Sequence, residues 1–293
     1  MLEVHDISRR FGETIALDQA SLKVPAGSMV GFVGGNGAGK TTTMRIIMGV
    51  LAADAGAVRF HGSPVTAQDR RRFGYMPEER GLYPKQHVLD QLTYLGSLRG
   101  IPLTDARRVA LGYLTRFGLA DKAKAKLETL SLGNQQRVQI TAALLAEPTA
   151  LILDEPFSGL DPDAVDEMGD VLREHTHRGV PVLFSSHQLE LVDRLCDRIV
   201  VLARGRVVAQ GTTDELRATG IVRHRLVLDT DAGWVRDQLG VHVVDVDGPV
   251  AVIEPESDEA TQRLLREAMV RGSVLEYARI VPSLSEIYRE VTA

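Results

Sequence analysis

Short and nearly uninterrupted apolar runs mark the first two thirds of the chain, at residues 28–33, 151–153, 180–185 and 198–202. A strand covered on one face alternates apolar with polar positions, so runs without alternation predict strands buried on both faces, as in a parallel sheet flanked by helices. Between these runs the apolar positions recur at helical spacing. In residues 163–177, Val165, Met168, Val171 and Leu172 fall on one stripe while charged residues take the other side, which predicts an amphipathic helix. From Pro84 to Pro148 the strand pattern gives way to helical periodicity. An all-helical insert, about 84–148, is therefore expected inside an α/β core.

The pattern changes near residues 215–222. Beyond it the chain reads strand 224–228, helix 232–239, strand 241–246, strand 250–253, helix 259–271, strand 274–281 and a final helix 284–291. This βαββαβ order predicts a small ferredoxin-like α+β module. Charge changes at the same place: Lys and Arg balance Asp and Glu at 26 each through Gly220, against 8 and 13 after it, so the whole net charge of -5 lies in the tail. Domains at 1–220 and 221–293 follow. The tail holds no Cys or His cluster, glycine loop or nucleophile pair, so its chemistry is not legible.

A length of 293 residues has room for two such domains. Hydrophobic residues at 44%, charged at 25% and aromatic at 5% match an ordinary globular chain. The single cysteine, Cys196, rules out an internal disulfide framework and fits a reducing compartment. No run approaches the roughly 18 apolar residues of a membrane span, and Met1-Leu2-Glu3 leads straight into a strand-like segment with no signal core. A cytoplasmic protein that cannot form a pore by itself is expected. The negative net charge offers no broad footprint for nucleic acid, and no nucleic-acid partner is expected.

Candidate chemistry gathers in the first domain. Gly34-Gly35-Asn36-Gly37-Ala38-Gly39-Lys40-Thr41 fits the phosphate-loop pattern G-x-x-x-x-G-K-[ST], with a strand before it and a helix opening at Thr42. Its glycines let backbone N–H groups turn inward on phosphates, and the helix N-terminus adds its positive end at the same point. Lys40 is expected to reach the β- and γ-phosphates and the Thr41 hydroxyl to ligate Mg²⁺. Residues 150–153 form an apolar strand that delivers Asp154 and Glu155 at its C-terminal end, where open α/β sheets hold their ligands. Side chains alternate along a strand, so Asp154 can face the metal while Glu155 polarises a water for in-line attack on the γ-phosphate.

Taken together, these motifs resemble the nucleotide-binding subunits of ATP-binding cassette (ABC) transporters, over about residues 2–220. Leu130-Ser131-Leu132-Gly133-Asn134-Gln135-Gln136-Arg137 is similar to the signature of that family, usually Leu-Ser-Gly-Gly-Gln, and departs from it at Leu132 and Asn134. Ser131 is also a fitting helix cap. The resemblance implies that Ser131 and Gly133 meet the γ-phosphate bound by an opposite cassette, so that two ATP molecules lie between two chains, as a homodimer or a pair with a second cassette. Asp161, in Ser158-Gly159-Leu160-Asp161, corresponds to the segment coupling the two sites, and His187 to the switch histidine that holds the attacking water with Glu155.

By the same resemblance Phe11 stacks on adenine. Glu78, in Gly74-Tyr75-Met76-Pro77-Glu78-Glu79-Arg80, stands where the family normally has glutamine; it keeps the metal-side role and adds negative charge beside the phosphates. The segment 77–83, the altered signature and the tail look like the exporter-associated ABC-2 branch. The resemblance thus implies a P-loop NTPase of ABC type using ATP and Mg²⁺, held on the inner face of the membrane by separately encoded permease subunits. The other reading is a soluble ABC ATPase acting on ribosomes or DNA. Such relatives usually carry two cassettes or a long coiled-coil insertion, and this chain has neither.

Overall fold

The computed structural model describes residues 1–79, 81–219 and 222–292. Arg80, at the end of segment 74–80, lies outside these residues, as do Gly220 and Ile221, where the expected domain boundary falls. The chain divides into one unit spanning Met1–Thr213 and a second spanning Asp214–Val291, each with its own apolar core.

The first unit opens with β1 (Leu2–Phe11), β2 (Thr14–Val24), β3 (Met29–Val33), α1 (Lys40–Met48), β4 (Ala55–Phe60), β5 (Ser63–Pro64), α2 (Ala67–Arg71) and β6 (Phe73–Met76). The insert follows as α3 (Val88–Leu98), α4 (Leu103–Arg116) and α5 (Leu132–Leu144), with two short 3-10 turns between the last two. The chain then returns to the sheet through β7 (Ala150–Leu153), α6 (Pro162–His177), β8 (Val182–Ser186), α7 (Leu189–Leu195), β9 (Arg198–Ala203) and β10 (Arg206–Thr212).

The sequence-predicted strands assemble in the order β10-β9-β3-β8-β7-β6. All neighbours are parallel except β10, which turns back on β9. Every residue of β3, β7 and β8 is buried, which explains their unbroken apolar character. Phe32 and Phe184 are wholly enclosed, each contributing roughly 1.5–3 kcal/mol relative to exposure.

A second sheet, antiparallel in the order β2-β1-β4-β5, had no counterpart in the sequence reading beyond its first strand. The β1–β2 ladder shifts register between Val4 and Ile7 and again near Arg9, with Asp6 and Gln19 in left-handed backbone. Such bulges interrupt the two-residue period that marks a half-buried strand. The inner face of this sheet and that of α1 share one core through Leu17, Leu22, Met44, Ile47 and Phe32.

From Asp214 the second unit takes in α8 (Thr213–Thr219) after its first residue, β11 (Arg223–Leu228), β12 (Val241–Asp247), β13 (Val250–Pro255), α9 (Asp258–Arg271), β14 (Val274–Ile280) and α10 (Leu284–Thr292) as far as Val291. Its antiparallel sheet runs β12-β13-β11-β14, the strand order of the expected ferredoxin-like module. The helix expected at 232–239 is instead a short 3-10 turn, Gly233–Asp237. Asp231 Oδ1 accepts from the Gly233 N–H at 2.8 Å, and glycines at 233 and 240 disfavour helix at both ends. Among the described residues no helix is long and apolar enough to cross a membrane.

Candidate functional site

The phosphate loop joins buried β3 to α1, and its glycines are dictated by what surrounds them. A side chain at Gly34 would collide with the Leu202 carbonyl, and one at Gly39 would come within 2.6 Å of the Ala16 carbonyl. Gly37 and Gly39 also have φ of 76° and 111°, where only glycine is unstrained. The Gly205 N–H donates to the Ala38 carbonyl at 3.0 Å and so ties the loop to the turn after β9. Lys40 is buried; its Nζ donates to the Gly34 carbonyl at 2.6 Å and the Gly35 carbonyl at 3.3 Å. An ammonium has three N–H groups, so one remains for a phosphate oxygen. No side chain caps the start of α1 and no acid occupies its first turn. Its amides are therefore available to an anion.

A cavity of about 320 Å³ opens in front of this loop, lined by Ala16, residues 36–42, Glu78, Asp154 and Glu155. Strand register sets the acids: Leu153 lies beside Phe184, which puts Asp154 beside Ser185. Ser185 Oγ donates to Asp154 Oδ1 at 2.6 Å and accepts from the Glu155 N–H at 2.8 Å. Asp154 is only 1% exposed, and its Oδ2 has no hydrogen-bond partner. A buried carboxylate oxygen without a donor fits a cation or its water. The Thr41 hydroxyl donates to Glu78 Oε2 at 3.4 Å. Thr41, Glu78 and Asp154, the expected metal-side residues, thus line one cavity and offer the hard oxygens that Mg²⁺ takes. Two carboxylates suit an ion that also shares its shell with substrate phosphates.

Glu155 has φ of 50°, an uncommon conformation for a residue with a side chain, and its Oε2 lies 3.0 Å from His187 Nδ1. Burial pushes the Glu155 carboxyl up, while its bond to His187 and the charges of His187 and Lys40 pull it partly back. A more basic carboxylate is a better acceptor for a proton from water. A neighbouring cavity of about 300 Å³ shares Asn36, Glu78 and Glu155 with the first and adds Leu132, Gln136, Ser158, Gly159 and His187.

Not every predicted residue joins these cavities. Gly34 and Gly35 line neither cavity and offer their carbonyls to Lys40. Ser131 Oγ caps α5, accepting from the Asn134 N–H at 3.4 Å. Gly133 packs so closely that an added carbon would sit 3.1 Å from the Gly159 carbonyl. Asp161 caps α6, its Oδ1 accepting from the Ala164 N–H at 2.8 Å. Phe11, at the end of β1, is 48% exposed, with the Arg9 guanidinium 5.0 Å from its ring centroid. Sequence reasoning gave no role to Ser185, Gln136 or Ala16. Ser185 was within reach, because a hydroxyl ending the strand next to β7 must fall beside Asp154.

Comparison with known proteins agrees with this geometry. The family model described as ABC transporter matches residues 17–158, and the model for the C-terminal domain of DrrA1-3-like ATP-binding proteins matches 211–292. The ABC transporter ATP-binding protein YhaQ of Bacillus subtilis is 36% identical over 99% of this chain and 98% of its own. The Nod factor export ATP-binding protein I of Burkholderia lata is 32% identical over 85% of this chain and 77% of its own. A solved ATP-binding subunit of an ABC transporter superposes with a TM-score of 0.69 at 34% identity, over 74% of this chain and 92% of that one. With such a relative along nearly its whole length and a phosphate loop facing paired acids, the chain belongs to the ATP-binding proteins of ABC transporters.

Proposed function

We propose that the chain hydrolyses ATP with Mg²⁺ as one cassette of a dimer, and that this drives export through separately encoded membrane-spanning subunits on the inner face of the membrane. The observation that carries the reading is the linked set Asp154–Ser185–Glu155–His187 opposite the phosphate loop. The free N–H of Lys40 and the amides of residues 36–42 would hold the β- and γ-phosphates. Thr41, Asp154 and Glu78 would hold Mg²⁺, which when bound neutralises phosphate charge. Glu155 takes a proton from the attacking water as its oxygen adds to the γ-phosphorus and the bond to the ADP oxygen breaks. His187 holds the Glu155 carboxylate in place.

Dimerisation is supported by geometry as well as by resemblance. Ser131 and Gly133 line neither cavity of their own chain, so a role on phosphate requires a nucleotide bound elsewhere, by a second cassette. Export is supported by the family branch: the relative from Burkholderia lata is named for Nod factor export, and the tail matches the DrrA-type domain.

Co-expression with the membrane proteins encoded beside this chain tests the reading. Mg-dependent ATPase activity should co-purify with a membrane complex and vanish with EDTA. A chain that hydrolyses ATP but binds no membrane protein would leave the ATPase standing and overturn the transport role.

A further inference from the structure

Two glutamines on α5 have no part in the chemistry described above, and the side-chain amides of both donate to backbone carbonyls. Gln136 and Gln139 are three residues apart and share one face of the helix. The Gln136 Nε2 donates to the Glu155 carbonyl at 2.8 Å and to the Pro156 carbonyl at 3.0 Å, which uses both of its hydrogens. The Gln139 Nε2 donates to the Pro77 carbonyl at 2.7 Å, with the Glu79 carbonyl at 3.5 Å. All four partners are acceptors, so only the amide nitrogens can face them. Gln139 is buried, and losing it would remove a donor from the half-buried Pro77 carbonyl.

These carbonyls flank the two acids at the cavity. The main chain of Glu155 is held at its N–H by Ser185 from β8 and at its C=O by Gln136 from α5, around a left-handed φ that the residue would not adopt freely. Glu78 sits between the two carbonyls that face Gln139. The preceding residue, Gln135, turns back to donate to the Leu130 carbonyl at 2.8 Å and fixes the start of the same helix.

We propose that Gln136 and Gln139, on the helix capped by Ser131, form a two-amide clamp that positions Glu155 and Glu78 of the same chain. The clamp rests on the reading of Glu155 and Glu78 as site residues. It makes the helix whose N-terminus would serve a second cassette's nucleotide the same element that aims the acids at the chain's own. Gln136 also lines the cavity beside Glu155, but the amide N–H groups of both glutamines are directed at backbone carbonyls, and both are positioning residues.

The test uses the full chain with Gln136→Met and Gln139→Met, which keep side-chain length and remove the donors, and Gln136→Glu as a second donor-free variant should Gln136→Met fail to fold. Hydrogen exchange is followed over residues 150–160 and 74–82, alongside ATPase kinetics. For Gln136→Met, exchange around Glu155 should accelerate and kcat fall about tenfold or more with KM for ATP little changed, since a misplaced acid costs turnover rather than binding. For Gln139→Met, exchange around Glu78 should accelerate and the Mg²⁺ concentration giving half-maximal rate should rise about threefold or more. Unchanged exchange in these segments overturns the clamp whether or not the protein is an ATPase. Faster exchange with wild-type kcat and Mg²⁺ dependence overturns the positioning role. A wild-type chain without ATPase activity defeats the functional reading alone and leaves exchange to decide whether the clamp exists.

Discussion

The two units differ in what their strand directions bring together. In the first, β3, β7 and β8 run parallel, so their C-terminal ends lie side by side and bring the phosphate loop, Asp154-Glu155 and Ser185–His187 to one place from distant parts of the chain. In the second, neighbouring strands run in opposite directions, and the charged residues pair across and along the elements: Arg223 with Glu254 at 2.8 Å, Arg225 with Glu276 at 3.9 Å, Arg271 with Glu267 at 2.8 Å. Of these, the exposed pairs Arg225–Glu276 and Arg271–Glu267 contribute about 0–1 kcal/mol each. The difference teaches where to look for chemistry. At the convergent strand ends of the first unit Asp154 Oδ2 is left unpartnered beside the phosphate loop, whereas the charges named in the second unit pair with one another.

The sharpest way to test this contrast is at Lys40. Lys40→Ala should lower kcat/KM by about 10³-fold or more, chiefly through lost nucleotide binding, as measured by titration with a fluorescent nucleotide. Wild-type affinity would mean that the loop is not the phosphate site. Glu155→Gln should keep nucleotide affinity and lose about 10²–10³-fold in kcat. It carries a pH signature too. Because burial raises the Glu155 carboxyl in the folded state, the native protein holds its proton more tightly than the unfolded chain, and stability falls as pH rises from the ordinary carboxyl range through the raised value. Glu155→Gln should therefore gain melting temperature relative to wild type above that window and lose the gain below it. Thermal melts across acidic and neutral buffers decide the point.

Ser185→Ala should cost about 1–3 kcal/mol of stability, since Asp154 Oδ1 and the Glu155 N–H both lose a partner, and should reduce kcat by about tenfold through a looser Glu155; denaturant melts and turnover measure the two. The smallest effect is expected from removing residues 214–293. Because the first unit has its own core, nucleotide affinity should stay within about twofold of the full chain. A large loss on this truncation would break the contrast by giving the second unit a part in the site.

Much of this was legible in the sequence because the signals were local. The strand, glycine loop, Lys40 and helix start are contiguous, and an unbroken apolar run can only be a doubly buried strand or a core helix. The element order of the second unit was legible for a similar reason: its strands are short and bounded by turns. Its first connection reads as a helix because apolar Ala232, Val235 and Leu239 fall at helical spacing, while the Asx turn at Asp231 is invisible to periodicity. The β1-β2-β4-β5 sheet escaped because bulges at Asp6 and Gln19 break its period. Ser185, Gln136 and Gln139 escaped for another reason. Each acts on a carboxylate, amide or carbonyl far along the chain, and nothing in the neighbouring residues announces such a partner.

The central place of β3 also bears on how the protein comes into being during synthesis. Residues 29–33 pair with 182–186 on one side and residues 30–33 with 198–201 on the other, and the loop after them is seated against Leu202 and Gly205. Contacts so distant in sequence form late, because a long loop must close before they are made. A nascent or stalled chain that has emitted the whole glycine motif, but not yet β8 and β9, has the letters of a nucleotide site without the site. Acquisition of nucleotide binding is thus a marker of completed folding of the first unit, and bound nucleotide stabilises only chains that have reached that stage.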